Sequence, residues 1–316
     1  MLKLLESNEA KSAFLYAGAS LCTHLIAKVV VNRLFFDYPI VILMLQHAAA
    51  LLLIEVARVT SLIKLTPYSL DRGRHLFLPS VLLSVSSWLS VASLEGIGMP
   101  VFDSVKRMTA IFVLVGGGFV LKRNWSEQKN ALSIVVISLA TALTVNFDLN
   151  MDRFSLFYGL IAAITQAIAY LQLEVLSATF PPIELLYMHS FNSLVVFLLA
   201  DVIQDEVRDA FMYMMTSANG LFTCLLLILL ISGLFLNFTM MHCISTNGAL
   251  TTAITSNIRA AIQIMIAYYS WVHLFYDVMP TFIHWIGLFL ALGFAVVLYR
   301  KPRNGYSNEK TYTNLA

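Results

Sequence analysis

Charge is scarce in this chain. Only 12% of its 316 residues are Asp, Glu, Lys or Arg, about half the ~25% usual in soluble domains. That shortage, set against 59% hydrophobic residues, excludes an ordinary water-soluble globular domain. Cysteine is sparse too: Cys22, Cys224 and Cys243 have no paired spacing and fall in apolar stretches, which argues against a disulfide framework or a cysteine metal site. The histidines, His24, His47, His75, His189, His242, His273 and His284, are scattered, and no Asp-x-Asp occurs. A membrane-embedded glycosyltransferase or acyltransferase would cluster such groups at one surface, so no enzyme activity, metal or cofactor is expected. A net charge of +2 is too small to argue for a nucleic-acid partner. The opening MLKLLESNEAKS lacks the apolar core and small-residue cleavage site of a signal peptide, so the first helix is expected to be retained.

What is present in quantity is apolar sequence in runs of membrane length. A ~30 Å hydrocarbon core needs roughly 20 helical residues at 1.5 Å each. Runs of that kind recur at 13–34, 38–58, 76–95, 97–121, 130–148, 155–178, 182–204, 220–243, 247–272 and 281–299. The expectation is an all-α, multi-pass membrane protein with ten transmembrane helices in one domain, 13–300. A cytosolic N-terminal segment, 1–12, and a cytosolic tail, 301–316, flank it. The partner implied throughout is the lipid bilayer.

The cations orient the bundle. Alternating the loops gives one side Lys3, Lys11, Arg58, Lys64, Arg72, Arg74, Lys122, Arg123, Lys129, Arg300, Lys301, Arg303 and Lys310, and the other only Arg33, Arg153 and Arg208. By the positive-inside tendency the richer side, which holds both termini, is cytosolic. The sequons at Asn124 and Asn237 then fall in the cytosol and within a span, where glycosylation is not expected.

Four cations remain inside the spans: Lys28, Lys106, Arg107 and Arg259. An unpaired cation at mid-bilayer costs about 2.5–3.5 kcal/mol on insertion scales, so such groups normally face a bundle interior or wet cavity. Aligning Arg107 with Arg259 sets GMPVFDSVKRMTAIFVLVGG against NGALTTAITSNIRAAIQIMI at an offset close to half the chain. A five-helix unit duplicated at that offset inserts in opposite senses, giving a 5+5 inverted repeat of the kind secondary transporters use, with the substrate site near the midplane.

Thr252, Thr255, Arg259 and Gln263 are spaced by three and four and share one helical face. Hydroxyls, an amide and a guanidinium fork suit phosphate oxygens and sugar hydroxyls, which implies an organic anion as solute. Each Thr taken alone is explained as well by backbone hydrogen bonding or close packing. Asp103 precedes Arg107 by four residues and is a candidate partner for it along the helix. Lys106 points about 100° from Arg107, so only one of the two is expected to face a cavity. Lys28 either binds ligand or snorkels toward Arg33. In YMHSFNSLVVF, Phe191 and Asn192 offer a ring and an amide able to stack on a base and read its edge.

Four stretches carry a resemblance: AKVVVNRLFFDYPIVILMLQ, FDSVKRMTAIFVLVGGGFVLKRNWS, HSFNSL and STNGALTTAITSNIRAAI. With these the chain resembles, from about residue 13 to 300, the nucleotide-sugar transporter family of the drug/metabolite transporter superfamily. The last stretch is most similar to the UDP-sugar branch, in which a Ser/Gly-Ala-Leu-Thr-Thr run precedes Ile-Lys-Asn; here Arg259 and Ala260 stand for the Lys and Asn. GDP-mannose carriers show Gly-Ala-Leu-Asn-Lys and Phe-Tyr-Asn-Asn, of which this chain keeps half of each, so a GDP-sugar carrier or an exporter of another phosphorylated anion stays open as an alternative. The resemblance implies exchange of a cytosolic nucleotide sugar, UDP-linked by preference, for a lumenal nucleoside monophosphate across Golgi or endoplasmic reticulum membrane. It assigns Arg259, Arg107 and Lys28 to the diphosphate and Asn192 and Phe191 to the base. Thr251, Thr252 and Asn257 fall to sugar or ribose hydroxyls, and Gly248 to close backbone approach. Oligomeric state stays open, a homo-oligomer included.

Overall fold

A computed structural model of the protein describes residues 8–94, 100–120, 131–144, 153–273 and 279–300. The tail 301–316, the sequon at Asn124 and the loop cations Lys3, Lys122, Arg123 and Lys129 lie outside these. Every regular element among the described residues is a helix: α1 (Asn8–Leu34), α2 (Pro39–Val59), α3 (Leu70–His75), α4 (Phe77–Ala92), α5 (Pro100–Lys106), α6 (Thr109–Val120), α7 (Ala131–Ala142), α8 (Arg153–Leu176), α9 (Pro182–Gln204), α10 (Glu206–Ser217), α11 (Gly220–Tyr269) and α12 (Phe282–Arg300). Five of them, α1, α2, α8, α9 and α11, are long and apolar enough to cross a membrane, and α4, α7 and α12 are shorter apolar helices. This is an all-α membrane protein.

Two boundaries differ from the sequence expectation. The runs 220–243 and 247–272 are two helices, as expected, but they follow one another through a kink without a loop and are taken together as the 50-residue α11 (Gly220–Tyr269). At 1.5 Å per residue a straight helix of that length would reach ~75 Å, far beyond one bilayer core. It is divided instead at Gly248, where φ 83° and ψ 168° leave the helical region. Only glycine tolerates that conformation readily. The run 97–121 is likewise not one helix: α5 and α6 are separated at Arg107–Met108, where Met108 N donates to Val105 O (2.9 Å) and Ile111 N to Met108 O (2.9 Å). These three-residue bonds tighten and rotate the chain between the two helices. The short helices α3 and α10 were not expected. α10 is amphipathic and buries Ala210, while the Glu206 carboxylate at its start accepts from Ile40 N at 2.8 Å and so secures the N-terminus of α2.

Small residues let the interior helices approach. α8 packs against α4, α5, α6 and α11 through buried Gly159, Ala162, Ala163, Ala167 and Ala169. A Cβ at Gly159 would stand 3.0 Å from Phe102 O on α5. Such small faces are how membrane helices gain close packing without a hydrophobic driving force between them. The central core joins α1, α4, α6, α7, α8, α9, α11 and α12 through residues such as Tyr16, Leu83, Ile137, Tyr170, Met188, Met241 and Ala291. α1 runs along α11, and this pair with α4, α5 and α8 encloses the polar interior.

Candidate functional site

One cavity gathers the intramembrane charges. Its lining includes His24 and Lys28 from α1, Ser90 of α4, Asp103 and Lys106 of α5, Arg107, Gln166 of α8, and Asn257, Arg259 and Gln263 of α11. All four cations singled out in the sequence therefore meet in one place, against a single carboxylate among the lining residues. Lys28, Arg107 and Arg259 are 5%, 4% and 9% exposed, so none of them reaches a lipid headgroup region by snorkelling. Both Lys106 and Arg107 line the cavity, which corrects the expectation that only one would. The two side chains reach it toward different helices, Lys106 to Ser90 of α4 and Arg107 to Asn257 of α11.

Three of the cations, Lys106, Arg107 and Arg259, take neutral partners. Lys106 Nζ donates to Ser90 Oγ, and Arg259 Nη1 to Gln263 Oε1, one turn away. Arg107 Nη1 donates to Asn257 O at 3.0 Å, and Asn257 Nδ2 returns a bond to Arg107 O at 2.6 Å. Each side chain thus holds the other's backbone where the α5–α6 break crosses α11. Among the described residues no carboxylate stands within 4 Å of Lys106, Arg107 or Arg259; the ion pairs there join Arg58 to Glu55, Arg72 to Glu184, and Arg208 to Asp205 and Asp209. Asp103 pairs directly with none of them, contrary to the neutral helix unit considered for it and Arg107. Arg259 Nε is buried with no hydrogen-bond partner. An unsatisfied guanidinium donor inside a membrane protein is costly unless something else visits it.

From cavity-lining Gln166 a short chain of hydroxyls runs into the core. Gln166 Nε2 donates to Tyr170 Oη at 2.9 Å, and Tyr170 Oη lies 3.3 Å from Tyr16 Oη. The cavity's volume is about 80 Å³, below the ~300 Å³ at which ligand pockets usually begin.

The remaining sequence candidates lie elsewhere. Gly248, Thr251 and Thr252 sit at the kink of α11 and do not line the cavity. There the Glu174 carboxylate of α8 closes on the backbone: Oε2 accepts from Ala249 N at 2.9 Å, and a Cβ on Gly248 would stand 2.9 Å from Oε1. Gly248 does permit a close approach, and what approaches is the protein's own carboxylate. Thr252 Oγ1 donates to Gly248 O (2.9 Å) and Thr255 Oγ1 to Thr251 O (2.8 Å), so of the polar stripe on α11 only Arg259 and Gln263 reach the cavity.

Phe191 and Asn192 are engaged by Tyr68, from the segment before α3. The Tyr68 and Phe191 rings stack at 4.0 Å and 18°. Tyr68 Oη donates to Asn192 Oδ1 at 2.9 Å, and Asn192 Nδ2 donates to Gly73 O at 2.9 Å. Next to them His189 Nδ1 is 3.1 Å from Ser80 Oγ, and Ser84 Oγ donates to Ser193 Oγ at 2.9 Å. Ser80 precedes cavity-lining Ser90 by ten residues on α4, about 15 Å along the helix. The structure does not bring Phe191 and Asn192 to the cations. Sequence reasoning passed over Ser90, Gln166, His24 and Glu174. Glu174, an acid within an apolar run, carried the same signal that drew notice to the cations.

No protein-family model matches the chain. It is 26% identical over 251 residues, 78% of this chain and 77% of the relative, to a UDP-galactose/UDP-glucose transporter of Arabidopsis thaliana. It is 22% identical over 164 residues, 52% of this chain and 43% of the relative, to a Dictyostelium discoideum protein named as a UDP-sugar transporter. A solved crystal structure superposes with a TM-score of 0.64 over 91% of this chain and 96% of its own, at 10% identity, a likeness of fold alone. The resemblance carried by the four sequence stretches is thus met by relatives matched along the chain, and both are named as UDP-sugar transporters rather than enzymes.

Proposed function

We propose that the protein is a ten-helix, 5+5 inverted-repeat antiporter that carries a UDP-linked sugar from the cytosol and returns a nucleoside monophosphate by alternating access. The carrying observation is the cavity itself, with Lys28, Lys106, Arg107 and Arg259 beside one carboxylate, Asp103, among the described lining residues, and a buried, unpartnered Nε on Arg259. A ligand with phosphate oxygens supplies what those donors lack, and a guanidinium fork meets such oxygens bidentately. The preference for uridine rests on the names of the curated relatives and on the Ala249-Leu250-Thr251-Thr252 run.

The inverted repeat is supported by the way its two arginine-bearing segments meet, each interrupted, at the Arg107–Asn257 crossing. Alternating access is supported by the cavity's size, since a nucleotide sugar needs the helices around it to part. The bias of loop cations favours cytosolic termini, and with that orientation the cavity, near the end of α4 and the start of α5, lies in the lumenal half. Golgi or endoplasmic reticulum membrane is where exchange of this kind would feed lumenal glycosyl transfer. Coupling needs no metal or proton relay: a returning monophosphate satisfies the same cations, and only the difference in stability of loaded and empty states is required.

The test is uptake into vesicles reconstituted with the protein and preloaded in turn with UMP, GMP, CMP or AMP. UMP is expected to accelerate entry of labelled UDP-glucose or UDP-galactose. Equal uptake into empty and preloaded vesicles would overturn antiport, and stimulation by GMP with GDP-mannose would move the base to guanine. Uptake of sugar phosphates that no nucleotide competes would replace the reading by export of a simpler phosphorylated anion.

A further inference from the structure

A carboxylate is the odd member of an anion-binding cavity. Asp103 lines the chamber with the four cations and lies within electrostatic reach of Lys106, Arg107 and Arg259. Its charge repels an incoming phosphate. Two structural explanations would excuse it, and neither fits. It is not the ion-pair partner of a neighbouring cation, because Lys106 donates to Ser90, Arg107 to Asn257 and Arg259 to Gln263. It is not the N-cap of α5 either, which begins three residues earlier at Pro100; it lies in the first turn, where the helix N-terminus favours a carboxylate without occupying its oxygens. Among the described residues the Asp103 side chain lines the cavity while Lys106, Arg107 and Arg259 are turned to neutral partners.

We propose that Asp103 is a specificity-determining residue of this site, its carboxylate accepting a hydrogen bond from a hydroxyl of the ligand. This rests on the transport reading above and adds to it the reason for selecting sugar-bearing phosphate esters over bare phosphates. A carboxylate oxygen takes a hydroxyl proton in a short, charge-assisted bond. A simple phosphate anion brings at most one such donor, a P–OH that its ionisation removes, and otherwise meets the repulsion, whereas the ribose and hexose parts of a nucleotide sugar bring several permanent ones. A cavity with only cations would bind the most highly charged anion best. Adding one acid reverses that order in favour of ligands that bring hydroxyls with their charge.

The experiment measures binding of UDP-glucose, UMP and inorganic pyrophosphate to the purified full chain, alongside Asp103→Ala and Asp103→Asn, in lipid nanodiscs. Asp103→Ala is expected to weaken UDP-glucose about tenfold, the scale of a hydrogen bond to a charged group, while pyrophosphate binds more tightly. Asp103→Asn keeps an acceptor oxygen and loses the charge; it should weaken UDP-glucose less and tighten pyrophosphate as Ala does. A fall for UMP that matches UDP-glucose puts the bond on ribose, and UMP unaffected puts it on the hexose. Tightening of UDP-glucose together with pyrophosphate would overturn the proposal and reduce Asp103 to a counter-charge. Weakening of all three in parallel would overturn it in favour of a structural role. Failure of the unmodified protein to bind any of the three would overturn the transport reading, and this proposal with it.

Discussion

The two ends of α4 border two polar clusters that a hydropathy profile cannot tell apart. Beside Ser80 and Ser84, the groups Tyr68, His189, Asn192 and Ser193 bond to one another and to the Gly73 carbonyl. Beside Ser90, Lys106, Arg107 and Arg259 lean on neutral partners, one guanidinium nitrogen has none, and among the described residues one carboxylate lines the space between them. Polarity inside the membrane is common to both clusters. What differs is the charge left over. Beside Ser80 the protein uses the amide of Asn192 and the Tyr68 and serine hydroxyls itself and leaves only neutral atoms, Ser190 Oγ and His47 Nδ1, without partners, whereas beside Ser90 a guanidinium nitrogen is left. That difference separates a polar weld between helices from a place prepared for an anion to arrive.

The sharpest way to break this contrast is Arg259→Ala. Counterflow by reconstituted vesicles is expected to fall about a hundredfold, the scale of one or two hydrogen bonds to a charged group. Arg259→Lys should recover only part of it, because charge returns without the planar fork. Next in size, Gly248→Ala forces a side chain into a φ of 83° and against Glu174, and should cost about 1–3 kcal/mol in thermal unfolding of the detergent-solubilised protein. Asn192→Ala leaves Tyr68 Oη and Gly73 O without partners and should lower stability by about 1–2 kcal/mol, with the KM for the nucleotide sugar changed less than about twofold. A shift in base preference at unchanged stability would instead bring the base to Phe191 and Asn192 and erase the contrast.

The smallest effect lies outside the spans. Burial pushes the Glu206 carboxyl above its usual range, against the downward pull of the Ile40 and Val41 N–H groups. A carboxyl whose folded-state pKa is raised contributes stability at low pH that is lost as pH rises through that pKa. Glu206→Gln should flatten this dependence while changing the melting temperature little, which a pH series of thermal melts would reveal.

How much could be read in advance follows the same physics. Composition and run length depend on the solvent, here lipid, and so revealed the helical membrane class and the apolar segments. The four cations stood out because each is expensive where it lies. The division near Gly248 was legible as the gap between two apolar runs, but its form, a positive-φ kink without a loop, was not, and the Arg107–Met108 turn was hidden because its residues are ordinary helix formers. Phe191 and Asn192 could not be placed from sequence, since their partner Tyr68 is 124 residues from Asn192 and comes from a loop. Asp103 was read along its own helix because sequence displays neighbours at i+4 and conceals a cavity shared by five helices.

The paired bonds between Arg107 and Asn257 fix more than position. Each residue lends a side chain and offers a carbonyl, so two links converge on one small spot where the segments cross. A doubled tie at a single point resists sliding of one rod along the other and leaves tilting about that point inexpensive. Any rocking of the bundle would therefore swing around a pivot built into the wall of the chamber, so that the charges nearest the pivot travel least while both entrances move.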